Sequence, residues 1–376
     1  MSGREVGIDW SGRPASAWLP DPLDARDLQV GESAVRDAER AAGAVLRVGD
    51  RLPAGVEPLA RLLLRAEGVA SSNIEGLRAD PAAIAAAELD AGVGDATATW
   101  IARNLSAVDA ALAHARSADV LDHAEVHRWH RLLMTGSPLE PALVGTYRDR
   151  QGWIGGTGPR DAAYVPPPPE HVGQLMGDLL AYLARLDVDA VTQAAVAHAQ
   201  LETIHPYGDG NGRVGRLLVL WVLARRLEVA VPPATSVLIA RDPGGYLSGL
   251  QRFRTESVDA WVRWFAHVIE LASLQALAWT DEVDEVLARW RADSDDLRSD
   301  ATARRLIDVL PHHPVLDVVT GVRLSGASTA AVRAALAQLE ERGVLAGWQG
   351  TPSGPGRPRH WWAATDLLDL VGSWSG

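Results

Sequence analysis

The sequence predicts an all-α protein with a small β-hairpin and a mixed carboxy-terminal module. Three observations predict it. Apolar residues recur at helical spacing from about residue 33 to 292, extended pieces are confined to short stretches punctuated by glycine and proline, and a polar run, RADSDDLRSDA at 291–301, sets off the tail.

Residues 1–30 are rich in Pro, Asp and Trp and show no helical period. Helices are expected over 33–47 and 56–75. In the second, Leu59, Leu62, Leu63, Ala66, Val69 and Ala70 share one face and Gly76 supplies the terminating residue. Further helices follow at 81–91, 95–117 and 122–135. The segment GTYRDRQGWIGGTGPRDAAYVPPPPE at 145–170 then changes texture. Its extended pieces 152–154 and 163–165 read as a hairpin, and prolines 166–169 cannot continue a ladder. Helical pattern returns at 171–185 and 189–204, stops at Pro206, which forces His205 out of the helical conformation, and resumes over 212–226. Helices at 242–254 and 257–292 complete the larger part. Beyond the polar run come helices at 302–310, 315–320 and 328–342, then strands at 344–348 and 360–363 joined by the basic loop GTPSGPGRPR. That order is the order of a winged helix-turn-helix. The expected division is therefore a helical region over 1–110, a core over 111–290 and a winged helix-like domain over 300–376.

The chain has 376 residues, of which 47% are apolar, enough to bury a sizeable core and too many for a disordered protein. Cysteine is absent, which removes disulfides, zinc ribbons, iron–sulfur clusters and thiol nucleophiles. All 36 basic residues are arginine, so Schiff-base lysines, the P-loop lysine and the kinase lysine are excluded. A net charge of −12 argues against a nucleic-acid-coating surface. The run Leu217 to Ala224 is far shorter than the ~20 residues that span a bilayer. The start MSGREVGIDWSGRP lacks the apolar stretch of a signal peptide. The expectation is a cytoplasmic protein without membrane contact.

The densest local signal is HPYGDGNGRVGR at 205–216. Gly210, Gly212 and Gly208 permit unusual backbone and close approach where a helix begins, so free N–H groups and the helix dipole can face an anion. Arg213 and Arg216 stand one turn apart on that helix and can each take two phosphate oxygens. Asp209 is a hard oxygen ligand for magnesium beside such phosphates. Asn211 can donate to a phosphate oxygen. His205 is the only group of the segment able to accept a proton near neutral pH.

This segment resembles the signature of the Fic family, HxFx(D/E)GNGRxxR, at every specified position except the aromatic, where Tyr207 replaces Phe. The stretches WIGG…AYVPPPPE at 153–170 and AHAQLETIHP at 197–206 look similar too, so the resemblance covers roughly 50–275. It implies a Fic fold, a helical core with a hairpin flap, and transfer of AMP from ATP, with Mg2+, to a Ser, Thr or Tyr hydroxyl of a target protein, releasing pyrophosphate. His205 would be the catalytic base and Asp209 the metal ligand. Gly210, Asn211, Gly212, Arg213, Val214, Gly215 and Arg216 would form the nucleotide site, with Tyr246 stacking near the adenine. Upstream, Ser71 and Glu75 fit the looser pattern [S/T]xxxE[G/N]. In similar proteins that pattern is inhibitory, the glutamate pairing with the residue equivalent to Arg216. The flap residues Trp153, Ile154, Gly155 and Gly156 would dock the target by strand addition.

Other readings stay open at this stage: removal of AMP with Glu75 orienting water, a nucleotide-sensing DNA-binding regulator, and a toxin held by a separate protein. The expected partners are the target protein, the chain itself as an acceptor, a second copy in a homodimer, and DNA through the tail. Residues 301–376 carry seven arginines against six acidic residues, and Arg323, Arg333, Arg357 and Arg359 could reach a duplex. His123, His127 and His130 share a helix face, but the sequence is not HExxH and a packing role is the better reading. His312 and His313 read as turn residues, and Trp361 and Trp362 as packing residues of the wing.

Overall fold

The computed structural model describes residues 3–23, 28, 30–52, 57–90, 92–117, 120–349 and 360–375. The chain opens on an antiparallel hairpin, β1 (Gly3–Trp10) and β2 (Arg13–Pro20), with Gly3 opposite Pro20 and Trp10 opposite Arg13. Ser11 and Gly12 both have positive φ, the conformation of a tight two-residue hairpin turn. The sequence reading saw only a lack of helical period here.

The helical body follows: α1 (Glu32–Arg51), α2 (Glu57–Ile74), α3 (Pro81–Leu89), α4 (Ala96–Arg116), α5 (His123–Met134), α6 (Pro169–Ala184), α7 (Ala190–Ile204), α8 (Asn211–Leu227), α9 (Thr235–Arg241), α10 (Pro243–Thr255) and α11 (Val258–Ala292). Asp80, Asp95, Asp122 and Asp189 cap α3, α4, α5 and α7 by accepting a backbone N–H of the first turn. All residues of α7 are buried, and α8 is buried along most of its length, so neither needs an amphipathic stripe. These two central helices carry the histidine-to-arginine segment at their junction. α9 was not anticipated. Among the described residues no helix is long and apolar enough to cross a membrane.

The tail runs α12 (Thr302–Val309), β3 (Val315–Leu316), α13 (Val318–Ser325), α14 (Thr329–Glu341), β4 (Ala346–Trp348), β5 (Trp361–Ala363) and α15 (Thr365–Ser375), with an antiparallel sheet ordered β3-β5-β4. The helix expected at 315–320 is corrected. Val315 and Leu316 pair with Ala363 and Trp362, and Asp317 then caps α13, which runs to Ser325. The basic loop at 350–359, with Arg357 and Arg359, lies outside the described residues. Helix α15, unread in the sequence, packs on α2 and α3.

Candidate active site

The turn from α7 to α8 is built by its own side chains. His205 caps α7 in the left-handed conformation (φ 49°), as the proline after it requires some departure from helix. Asn211 Oδ1 accepts from the Tyr207 N–H at 2.8 Å and its Nδ2 donates to the Tyr207 carbonyl at 2.9 Å, closing the loop. Gly210 at φ 81° is the N-cap of α8. Buried Arg148 donates from Nε to the His205 carbonyl at 2.8 Å and from Nη2 to the Ile204 carbonyl at 3.3 Å, and its own N–H donates to the Pro206 carbonyl. Burial lowers this guanidinium to about 10. From the other side, His130 Nδ1 accepts from the Gly145 N–H at 2.8 Å, which leaves its Nε2–H to donate to the Asp209 carbonyl at 3.0 Å.

Around the reactive end of the loop, charge is arranged in pairs. Glu202 Oε2 stands 3.6 Å from His205 Nδ1. Arg216, 2% exposed, donates from Nε to Ser71 Oγ at 2.8 Å and from Nη2 to the Ser71 carbonyl at 2.9 Å and to Glu75 Oε1 at 2.8 Å. Burial alone would lower the arginine, but Glu75 holds it above its ordinary value. A side chain at Gly212 would come within 2.5 Å of Glu75 Oε1, so this carboxylate lies against the first turn of α8, where backbone N–H groups lack helical partners. Arg213 is equally buried. Its guanidinium sits over Trp100 at 4.9 Å and its Nη2 meets Met134 Sδ, while Nε and Nη1 have no hydrogen-bond partner among the described residues.

A cleft of about 1310 Å³ opens over this junction. His205, Gly212, Arg216 and Glu75 share it with the flap residues Trp153, Ile154 and Gly155 and with Tyr246. Residues Pro14 to Trp18 of β2 line it too, next to the flap, where the Trp18 N–H donates to the Val165 carbonyl at 2.9 Å.

A profile of the Fic/DOC family matches residues 120–223. The chain carries a Fic/DOC domain. Protein adenylyltransferase fic-1 of Caenorhabditis elegans is 31% identical over 157 residues, 41% of this chain and 27% of that protein. Protein adenylyltransferase Fic of Nematostella vectensis is 30% identical over 152 residues, 40% of this chain and 32% of that protein. The matches thus span about a third or less of the length of these relatives. A Fic family protein of Desulfovibrio desulfuricans G20, solved by crystallography, superposes with a TM-score of 0.56 at 19% identity, covering 89% of this chain and 97% of that one. That likeness is one of fold.

The expected site residues divide. Asp209 stays half exposed and is not among the residues lining the cleft, its Oδ1 accepting the Gly210 N–H at 2.6 Å and lying 3.8 Å from Arg213. Among the described residues no group of three or more His, Asp or Glu could hold a metal by itself. The Asn211 amide, expected on a phosphate, is engaged with Tyr207. Val214 is in the core, and Gly215 faces His198, so neither side of α8 that they occupy meets the cleft. Tyr246 reaches the cleft edge, but its ring packs with Trp261 and Trp264 and its hydroxyl bonds His198 and Glu202. The flap is a single bridge, Ile154 to Tyr164, with Trp153 packed edge-on against Trp10 of β1 at 5.1 Å. Gly156 continues the flap turn with positive φ.

Sequence reasoning missed Arg148, Glu202 and the β2 wall. Glu202 lay in the quoted stretch AHAQLETIHP three residues before the histidine, a spacing that puts it on the same helix face. Arg148 had no local signal.

Proposed function

We propose that the chain is an autoinhibited protein adenylyltransferase of the cytoplasm. It transfers AMP from ATP to a Ser, Thr or Tyr hydroxyl of a target protein, or of itself, and releases pyrophosphate. The observation that carries this reading is the placement of Glu75 on Arg216, in one cleft with His205. A carboxylate takes the anion position at the start of α8 that a nucleotide phosphate would take.

In this mechanism His205 accepts the hydroxyl proton as the hydroxyl oxygen attacks the α-phosphorus, and the bond to the β-phosphate breaks. The α8 N–H groups, Arg213 and Arg216 stabilise the phosphate charge, so the domain contributes positioning and electrostatics. The two nitrogens of buried Arg213 without a partner favour an anionic ligand, because an unpaired buried cation is costly. Asp209 suits a magnesium ion that arrives with the triphosphate, since one carboxylate leaves most coordination sites to phosphate and water. The ion would neutralise phosphate charge. An extended target segment would pair with the flap at Trp153–Gly155, with β2 lining the same cleft. The helix-strand-helix-helix-strand-strand order of the tail supports a winged helix-turn-helix there, open to DNA or protein. Self-association into a homodimer belongs to the same reading.

The test is label transfer from α-labelled ATP with magnesium to lysate proteins by wild type, Glu75→Gly and Glu75→Gly/His205→Ala. Strong labelling by Glu75→Gly alone is expected. Absence of labelling, with release of AMP from a modified target by wild type, would replace this reading with AMP removal.

A further inference from the structure

Glu202 is buried, 8% exposed, on the last turn of α7, and nothing in the transfer scheme above uses it. Its two carboxylate oxygens have different neighbours. Oε1 accepts a hydrogen bond from the Tyr246 hydroxyl at 3.3 Å, and that hydroxyl lies 2.9 Å from His198 Nε2. Because the tyrosine proton goes to Glu202, His198 must donate its Nε2–H to the tyrosine oxygen. Oε2 is left facing His205 Nδ1 at 3.6 Å, and Nδ1 has no hydrogen-bond partner among the described residues.

We propose that Glu202 is the positioning residue of the histidine base: held by the His198–Tyr246 relay, it keeps the resting proton of His205 on Nδ1 and so presents an unprotonated Nε2 to the acceptor hydroxyl. This deepens the adenylyltransferase reading and rests on His205 as its base. When Nε2 takes the hydroxyl proton, the imidazolium that forms lies beside a carboxylate, which favours the charged state. The hydroxyl oxygen bonds to the α-phosphorus, the bond to pyrophosphate breaks, and the proton remains on Nε2. A contact of 3.6 Å without substrate is compatible with this role, because catalytic hydrogen bonds tighten when the complex forms. Tyr246, expected as an adenine platform, becomes the support of Glu202.

The surroundings keep the carboxylate ionised. Burial pushes Glu202 up, but His205, His198 and Arg216 bring it down to about 2. The other charged or titratable groups near it are Glu75, whose carboxylate meets the same face of Gly212, Arg254 and Tyr246 on α10, and Tyr164 in the flap.

Two measurements test the assignment, one of them independent of activity. Nitrogen-15 spectra of the imidazoles, with the His205 signal assigned by its loss in His205→Ala, report the tautomer without nucleotide. Wild type is expected to show the Nδ1–H tautomer. In Glu202→Gln the amide N–H would face Nδ1, so the Nε2–H tautomer gains population. Identical tautomer populations in both proteins would overturn the proposal, whatever the activity. In the Glu75→Gly background, Glu202→Gln is expected to lower transfer roughly 10- to 100-fold in kcat with little change in KM. Glu202→Asp should recover part of the rate. If no variant transfers AMP, the adenylyltransferase reading fails while the spectra still decide the positioning role. Unfolding of Glu202→Gln shifts the test to Tyr246→Phe, which keeps the carboxylate but frees it. The Nε2–H tautomer of His205 should then gain population by less, and an unchanged tautomer balance would count against the relay.

Discussion

Arg216 Nη2 donates to Glu75 Oε1 at 2.8 Å, joining the end of α2 to the first turns of α8. Arg216 also donates twice to Ser71, so it stays hydrogen-bonded when the glutamate is removed. Glu75 is about one-third exposed, which limits what the pair contributes to stability. Glu75→Gly is therefore expected to cost only about 1 kcal/mol of folding stability. It also clears an anion position, so ATP should stabilise the variant more than it stabilises wild type. Thermal unfolding with and without ATP measures both effects. Equal stabilisation of the two proteins would mean that Glu75 does not compete with the nucleotide.

Tyr207 stands where the family signature has phenylalanine, and its added hydroxyl is accommodated. The ring is buried and stacks on His130 at 3.8 Å, and the hydroxyl lies 3.0 Å from His127 Nδ1. Tyr207→Phe keeps the stack and loses one hydrogen bond, at an expected cost of about 0.5–1.5 kcal/mol, with transfer activity retained. Denaturant unfolding and the label-transfer assay check this together. A large loss of activity with unchanged stability would instead give the hydroxyl a role in the reaction.

His130 supplies a pH dependence. Burial, reinforced by Arg213 and His127, lowers it from 6.5 to about 4, against a smaller opposing effect of its bond to the Asp209 carbonyl. The unfolded chain therefore binds the proton more readily than the folded one between these values. The corresponding stability is complete above about 6.5 and is lost as pH falls toward 4. Its size is of the order of 1–3 kcal/mol. The fall in stability from pH 7 to 4 should be shallower in His130→Gln, which can still bridge Gly145 and Asp209. Equal slopes would show that His130 does not titrate across this range.

What could be read in the sequence was what depends on near neighbours. The 205–216 segment, the break at Pro206 and the Gly76 helix end are local, and the Glu75–Arg216 pair came through the family resemblance carried by short motifs. What escaped depends on distant chain. His130 was read as a packing residue because only its helix face was visible, whereas its bond to the Asp209 carbonyl needs α5 beside the loop. Arg148 matters through the carbonyls of Ile204 and His205. Val315 and Leu316 are too few to show a period, and their strand is set by β5. Helix α15 does carry a helical pattern in Leu367, Leu368, Val371 and Trp374, which was not read.

That last helix leads to a prediction about the brake. Asn73, two residues before Glu75, donates from Nδ2 to the Ser375 carbonyl at 2.7 Å. Trp374 anchors the same end of α15: it stacks on Trp279 of α11 at 4.6 Å and its indole N–H donates to Glu282 Oε2 at 2.9 Å. Elsewhere along α2, Glu67 accepts from the backbone N–H and hydroxyl of Ser236, and Arg65 pairs with Glu88. The end of α2 that carries the glutamate is thus held by α15, while Arg65, further back on α2, also reaches the tail through the His312 carbonyl at 3.3 Å. Trp374→Ala is expected to weaken this docking by about 3–5 kcal/mol. Because the loss falls next to Glu75, basal AMP transfer should rise several-fold, but less than in Glu75→Gly, and the double variant should match Glu75→Gly alone. Label transfer by the three variants, with circular dichroism to confirm that each is folded, checks the expectation. A folded Trp374→Ala protein with unchanged basal labelling would mean that Ser71 and Arg216 hold the glutamate in place without help from the carboxy-terminal helix.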